Sequence, residues 1–118
     1  MDIVRVHAVY LNENNEADDR SVLELLCGRD RNGYILNQVW MGYTRNGDEH
    51  WPFVLELNAD GLKFGEDHVE PCNIRKIAIK VGEIFTLDNA PGWEEPWHGR
   101  YRIEAVIDPL AEDLTTAN

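Results

Sequence analysis

Apolar side chains along this chain alternate with polar ones in short runs, which is the period-two pattern of β-strands. The run 3–11 is rich in β-branched residues and predicts a first strand. Later runs at 83–87 and 100–107 alternate in the same way and predict two more strands. The segment 74–80 also alternates, and we expect it to form a strand that is broken by Gly82.

Three pairs of a polar residue and glycine lie between apolar stretches, and such pairs supply the positive φ angles of tight hairpin turns. The pairs are Asn32-Gly33, Asn46-Gly47 and Asp60-Gly61. The middle pair follows a long apolar run at 34–44, which predicts a strand. A two-residue turn at the middle pair would place Tyr43 opposite His50 and Trp40 opposite Phe53.

The segment 21–28 fits either a helix or a strand. Ser21 and Glu24 match the capping box of a helix, and Gly28 stands where such a helix would end. Strand alternation also works, because three apolar residues then share one face: Leu23, Leu25 and Cys27. The segment is short, so a strand is slightly favoured, and both alternatives stay open.

Six to eight short antiparallel strands emerge from this pattern, with a polar loop at 12–19 and an irregular polar stretch at 66–73. Asp108-Pro109 predicts the start of a short closing helix, so one or two helical turns are expected. This combination is typical of a mostly β protein, a small barrel or a sandwich. The 118 residues fit a single β-rich domain, 1–118, whose tail is expected to fray from about 115.

The charge of the chain is strongly negative, since 22 acidic and 11 basic residues give a net charge of −11 at pH 7. The segment 48–73 holds seven of the acids and one basic residue, Lys63. Phosphate backbones and anionic membranes are repelled by such a surface, so we expect binding to neither. The charge favours a basic partner, such as a basic protein, or a cation, but a solvated surface explains the same charge and is the favoured interpretation.

Two cysteines, Cys27 and Cys72, are too few for a disulfide framework and form no Cys-x-x-Cys pair. We expect reduced, buried thiols in a cytoplasmic protein, and one bridge between them in an exported protein is the alternative. The first residues resemble no secretory leader, and no apolar run is long enough to span a membrane. Motifs for phosphate binding, zinc proteolysis and serine hydrolysis are absent from the sequence, so neither a cofactor nor a metal is expected.

The connection at 90–99 is the most distinctive segment for function, because loops usually avoid tryptophan. It carries two tryptophans, two acids and a histidine: Trp93, Glu94, Glu95, Trp97 and His98. If the rings face solvent, they and the carboxylates suit a cationic partner through cation–π contact. If the rings fold inward, they close one end of the barrel. Both interpretations stay open.

A second candidate cluster follows the middle turn. Asp48, Glu49 and His50 place a histidine beside carboxylates, an arrangement that can contact a partner or orient a general base. An ordinary exposed hairpin end explains the same residues. His68 and Cys72 are spaced like two metal ligands, but a solvated loop that ends in a buried thiol is the favoured interpretation.

These features favour a non-enzymatic, acidic protein-binding module, an adaptor or an inhibitor of the immunity-protein kind, that recognises a basic partner. The alternative is a small-ligand-binding protein or an enzyme with a pocket near 90–99. Mimicry of a nucleic acid by the carboxylates is a weaker alternative, because basic residues interrupt them. A homodimer formed through an edge strand also stays open.

Overall fold

The computed structural model describes residues 2–88 and 98–110, in which eight strands form one antiparallel sheet. In chain order the strands are β1 (Asp2–Leu11), β2 (Ala17–Arg29), β3 (Trp40–Asn46), β4 (Glu49–Leu55), β5 (Gly61–Lys63), β6 (Val69–Pro71), β7 (Ile84–Asp88) and β8 (His98–Ile107). Their order across the sheet is β6-β5-β4-β3-β2-β1-β8-β7. One 3₁₀ turn, Ile74–Lys76, lies between β6 and β7. Over these two ranges, no helix has the length and apolar character needed to cross a membrane.

The two outermost strands of the sheet, β6 and β7, approach each other and bring the sheet close to a closed barrel. Cys72, directly after β6, pairs with Leu87 of β7 in an isolated bridge. Beside it, the Asn73 N–H donates to the Thr86 carbonyl at 3.3 Å, and the Thr86 N–H donates to Asn73 Oδ1 at 2.7 Å. The predicted mostly β fold is confirmed, and of its two forms the barrel is the one adopted.

Alternation along the strands points one set of side chains into the barrel. On β1 and β2 this set is Val4, Val6, Ala8, Leu23, Leu25 and Cys27. The buried side chains of the described part of the chain are all aliphatic, aromatic or cysteine, so hydrophobic burial stabilises the barrel with no buried charge to compensate. The ambiguous segment 21–28 is a strand, because hydrogen-bonded ladders to β1 and β3 override its local helix signal.

The β3–β4 hairpin differs from its predicted register. Asn46 pairs with Glu49, so the two loop residues are Gly47 and Asp48 rather than Asn46 and Gly47. Gly47 has a φ of 60°, and positive φ at the first loop position is the mark of a type II′ turn. The Gly47 N–H donates to the Arg20 carbonyl of β2 at 2.8 Å, which ties this turn to the neighbouring strand.

The register error moves both predicted cross-strand pairs by two residues. Tyr43 lies opposite Pro52 instead of His50, and Trp40 lies opposite Leu55 instead of Phe53. A shift of two residues leaves every side chain on the face where the alternation placed it, because the side-chain period of a strand is two.

The other two expected turns behave differently from each other. Gly33 has a φ of 89° and turns the chain as predicted, but β3 begins only at Trp40 and not at residue 34. Gly61 lies within β5 and the turn is made at Asn58, whose φ is 60°. A Cβ on Gly61 would lie 2.8 Å from the Glu70 carbonyl oxygen, so glycine permits close approach of β5 and β6 rather than a turn.

The segment 74–80 is not a strand, so that prediction was wrong. Ile74 is buried within a 3₁₀ turn, and Ile79 is buried in the irregular segment that follows it. Arg75 fixes the segment in place, because its guanidinium donates hydrogen bonds to three backbone carbonyls. These belong to Leu36, Gln38 and Glu56, at 3.0, 2.8 and 2.9 Å.

The structure also bears on the predictions for the stretch 66–73 and for the end of the chain. The polar stretch 66–73, expected to be irregular, contains β6. At the end of β8, Asp108 Oδ1 accepts a hydrogen bond from the Leu110 N–H at 2.9 Å, as expected where a helix starts. The tail predicted to fray from about 115 lies outside the described residues.

Each strand runs opposite to the next one in the chain, so the connections alternate between the two ends of the barrel. At one end, here called the mouth, lie the connections 12–16, 47–48 and 64–68. The opposite end, called the base, holds the connections 30–39, 56–60 and 72–83. Strand β7 ends and β8 begins at the mouth, and the residues that join them, 89–97, fall outside the described ranges.

Gly42 of β3 tests how tightly the barrel wall is packed. A Cβ there would lie 2.1 Å from the Glu24 carbonyl oxygen and 2.7 Å from the Phe53 ring, and the carbonyl cannot move without breaking a ladder. We expect Gly42→Ala to lower the free energy of unfolding by at least about 2 kcal/mol in urea titrations.

Gly28→Ala is the matched control for this substitution. The new Cβ would meet only side-chain atoms of Leu36 and Trp40, at 3.0 Å, and these can shift. Its cost should stay below about 1 kcal/mol. If the two variants lost equal free energy of unfolding, the contact with the Glu24 carbonyl would not be the cause of the loss in Gly42→Ala.

Candidate functional site

A cavity of about 620 Å³ opens at the mouth of the barrel. Its volume falls within the range of about 300–1,000 Å³ that is usual for ligand sites. Residues from all but one of its surrounding strands, and from the 64–68 connection, form the wall: Tyr10, Ser21, Thr44, Arg45, Asn46, Trp51, Phe64, His68, Glu70, Leu87 and Tyr101. Because the strands supply most of these side chains, the sheet ladders fix their positions.

Trp51 is the most exposed ring of the cavity wall. It shares the inner face of β4 with Phe53 and Leu55, because it lies two and four residues before them. Phe53 is 3% exposed, whereas Trp51 remains 53% exposed, because Phe53 meets the core and Trp51 meets the open cavity. The barrel mouth thus presents a large aromatic surface on its inner side.

Three further rings continue this aromatic surface. Phe64 packs against Phe53 with ring centroids 5.5 Å apart. On the opposite wall, Tyr10 meets Tyr101 edge to face at 5.8 Å, and Tyr101 stacks on Phe85 at 5.7 Å. Contacts of this geometry add to the stability of the wall beyond simple burial. The rings are therefore held in place before any ligand arrives.

Glu70 brings a carboxylate to the cavity wall. Its Oε2 lies 2.7 Å from His68 Nε2, and its side chain is only 17% exposed. The ring of His68 also meets the edge of Phe64, with centroids 6.1 Å apart. The pKa of the Tyr101 hydroxyl is raised, mainly by burial and further by the negative charge of Glu70. Glu70 and Tyr101 thus line the same cavity.

Polar groups line the upper wall. Ser21 Oγ donates to Asn46 Oδ1 at 3.2 Å across β2 and β3. Arg45 reaches the wall from the outer face, because it pairs with Val22 and is out of phase with the inward-facing Thr44. Its Nη1 donates to the Gly47 carbonyl at 3.4 Å. Arg45 is the permanent positive charge of the wall.

Acidic residues concentrate around the mouth. The connections there, with their adjoining strand ends, span 12–20, 45–50, 64–70, residue 88 and 98–100. They carry ten carboxylates: Glu13, Glu16, Asp18, Asp19, Asp48, Glu49, Glu66, Asp67, Glu70 and Asp88. Four basic residues accompany them, Arg20, Arg45, Arg100 and Lys63 at the end of β5, so this end has a net charge of −6 out of −11 for the whole chain.

The base of the barrel is nearly neutral by comparison. Residue 2 and the spans 29–39, 56–60, 72–83 and 108–110 hold six acidic and five basic residues, a net charge of −1. Several of these charges are paired with one another, as in Arg29–Asp2 at 2.7 Å and Lys80–Glu83 at 3.7 Å. The negative charge is thus segregated along the barrel axis and not by position in the sequence.

The cluster predicted at the middle turn lies on the rim of the mouth and outside the cavity wall. Asp48, Glu49 and His50 are all exposed. The His50 ring packs against Tyr43 of the outer face, with centroids 5.5 Å apart and a tilt of 51°. These three residues therefore contribute charge to the mouth, and they do not join the aromatic wall.

The tryptophan connection is described only at its end. Four of its candidate residues lie outside the described residues: Trp93, Glu94, Glu95 and Trp97. Both interpretations of the two tryptophans, as a plug of the barrel and as a binding surface, therefore stay predictions. His98 begins β8, is exposed, and places its Nδ1 2.9 Å from Asp88 Oδ1. The carboxylate partner of His98 is therefore the last residue of β7.

The other sequence candidates are placed clearly. His68 contacts Glu70, whereas Cys72 is buried, and burial raises the pKa of its thiol to about 12. In ranges 2–88 and 98–110, no three His, Cys, Asp or Glu residues are grouped to hold a metal ion. Cys27 and Cys72 are both free and buried, so the alternative of a bridge between them is not realised.

Sequence reasoning missed the residues that form the cavity wall. Trp51, Phe64, Tyr10 and Tyr101 were treated as ordinary strand residues, because nothing local distinguishes a mouth position from a core position. The available signal was Trp51 itself, an inward-facing tryptophan only three residues after the hairpin turn. Inward positions so close to a strand end lie at the rim of a barrel.

Comparisons with known proteins supply no relative for this chain. No protein-family model matches it, and neither the curated proteins nor the solved structures contain a match. The function must therefore be inferred from the residues themselves.

The two buried thiols should make the free energy of unfolding decrease at alkaline pH. Burial raises the pKa of both Cys27 and Cys72 to about 12, well above the value of about 8.5 in an unfolded chain. The folded state holds these protons more tightly, so the stabilisation is complete below about pH 8.5 and is lost as the pH rises towards 12. The free energy of unfolding should fall by up to about 1.4 kcal/mol per pH unit for each thiol in that window.

Cys27→Ala and Cys72→Ala provide the controls, because each removes one titrating thiol. Both lose stability at pH 7 through the cavity they create, so the slope against pH is the quantity to compare. Each variant should show a shallower decline than the parent in urea unfolding at pH 8 to 11. Parallel slopes would contradict the assignment of the titration to the thiols.

Proposed function

We propose that this protein is a non-enzymatic binding module that recognises a basic protein partner through the mouth of its barrel. The segregation of charge carries the proposal: the mouth holds a net −6 and the base only −1. Solubility alone would be served by acids spread over the whole surface. Because the carboxylates are concentrated at one end of the barrel, positively charged molecules are attracted to that end.

The physical form of the mouth supports recognition of a basic surface. The carboxylates stand on three described turns around a concave centre, and most of them are exposed and free of arginine or lysine partners. Low-dielectric walls focus the field of such a rim towards its centre. Electrostatic steering then speeds association with a cationic partner and disfavours acidic ones. An adaptor and an inhibitor of a basic enzyme both fit this surface.

A cytoplasmic location accompanies this proposal. The free thiols of Cys27 and Cys72 support it, because paired cysteines are the usual state in oxidising compartments.

The second candidate function is binding of a small ligand, with or without chemistry, in the mouth cavity. The observation that favours it is the cavity of about 620 Å³, which adjoins the ends of β7 and β8 and hence of the 90–99 connection. His68 and Glu70 are the polar groups that a ligand there would meet.

Binding to a lysine-rich peptide of defined length tests recognition by the mouth. Glu49→Gln combined with Glu66→Gln removes two exposed charges from the mouth, and Glu56→Gln combined with Glu83→Gln removes two from the base. We expect the mouth variant to bind about fivefold more weakly at low salt, and the base variant to change less than about twofold. Isothermal titration calorimetry at two salt concentrations measures both effects.

The matched charge change separates location from total charge. Both variants carry the same net charge, so a difference between them can only come from where the carboxylates stand. Equal weakening in the two variants would contradict recognition by the mouth and would indicate attraction by net charge alone.

A further inference from the structure

The mouth cavity combines two features that suit one kind of guest. Trp51 offers an inward-facing ring that is 53% exposed, although its neighbour Phe53 on the same face is buried. Tryptophan has the strongest attraction for cations among the aromatic side chains, and the attraction grows when water is excluded. An open ring at the centre of an acidic rim is therefore best matched by a positive charge.

Glu70 supplies the countercharge on the same wall. It is the carboxylate of the cavity wall, and its side chain is 17% exposed. Oε2 lies 2.7 Å from His68 Nε2, while Oε1 has no hydrogen-bond partner within residues 2–88 and 98–110. A half-buried carboxylate oxygen without a partner can accept a charge-assisted hydrogen bond from a guest.

From these two features we propose that the mouth cavity receives a cationic side chain, lysine or arginine, of the partner protein. Its alkyl stem packs along the rings of Phe64 and Trp51, and its charged group meets the Trp51 ring and the Glu70 carboxylate. This deepens the proposed function and rests on it, because the side chain comes from the basic partner. The apolar stem and charged head of lysine and arginine match a wall that combines aromatic rings with a carboxylate.

The charge of the rim favours a protein side chain over a free small cation as the guest. One small cation compensates Glu70, but the other nine carboxylates of the mouth stand outside the cavity wall. A basic surface that carries the inserted side chain also places positive charge opposite those carboxylates. Arg45 opposes the guest from the upper wall, so its removal should strengthen binding.

A pair of small probes tests the pocket without the partner. N-acetyl-arginine amide and N-acetyl-citrulline amide have the same shape, but the guanidinium of the first is replaced by a neutral urea group in the second. Two-dimensional NMR that follows the indole N–H of Trp51, assigned with Trp51→Phe, gives both dissociation constants. We expect the arginine probe to bind in the millimolar range and about fivefold more tightly than the citrulline probe.

Three variants locate the binding energy. Glu70→Gln keeps the shape of the wall and should weaken the arginine probe by about fivefold. Trp51→Leu, which lacks the indole signal and is followed through the backbone N–H of Glu70, should weaken it by about threefold. Glu56→Gln is the matched control, because it removes the same charge from an exposed position at the base, outside the cavity wall. It should change the affinity by less than about twofold. Arg45→Gln should tighten binding.

The outcomes separate this proposal from the proposed function. Equal affinity for the two probes, or equal loss in Glu70→Gln and Glu56→Gln, would overturn the pocket, and so would an arginine probe that leaves the Trp51 signal unmoved. In each of those cases, mouth-dependent binding of the lysine-rich peptide would still support recognition by the rim. Free arginine serves as a third probe: if it bound much more tightly than the blocked form, the guest would be a free metabolite and the side-chain proposal would fail.

Discussion

Backbone hydrogen bonding between antiparallel strands that follow one another in the chain is the constraint on which this molecule depends. Once each strand pairs with its predecessor or successor, every second connection must lie at the same end of the sheet. The near-closure at Cys72 and Leu87 then turns the two ends of the sheet into the mouth and the base of a barrel. The location of the acidic turns is thus a consequence of topology, and no long-range contact between those turns is needed to bring them together.

The same constraint creates a gradient of polarity along the interior. Inward-facing positions of β2 run from Ser21 at the mouth to Leu23 and Leu25 in the core. Those of β4 change in the same direction, from the half-exposed Trp51 at the mouth to the buried Phe53 and Leu55. The side chains at the mouth leave a cavity between them, whereas buried apolar residues pack the rest of the barrel. Fold stability and the open site are therefore divided along the barrel axis.

Much of this architecture could be predicted from alternation alone, and the exceptions have physical causes. The strands at 3–11, 83–87 and 100–107 were correct within a few residues, because their inner faces are continuous apolar rows. The segment 74–80 was misassigned, since Ile77 and Ile79, two residues apart and both packed on the core, imitate one face of a strand without any ladder.

The site was harder to predict than the fold, because it depends on which residues share an end of the barrel. The acidic window 48–73 mixes both ends: Asp48 and Glu66 lie at the mouth, while Glu56 and Asp60 lie at the base. The acids of 12–19, separated from that window by a whole hairpin, belong to the mouth. Linear charge counting therefore underestimates the segregation, and only the strand order reveals it.

Segregation of charge also carries a cost in the free protein. Like charges on neighbouring turns repel one another, and the repulsion is felt in the folded barrel more than in an extended chain, because folding brings the turns together. The base avoids this cost by pairing acids with arginine and lysine, but the mouth has few such partners. A surface that opposes folding persists only where the apolar core is strong enough to tolerate it or where a cationic partner relieves it. The first condition is met by the apolar core, and the second is what the proposed cationic partner would supply.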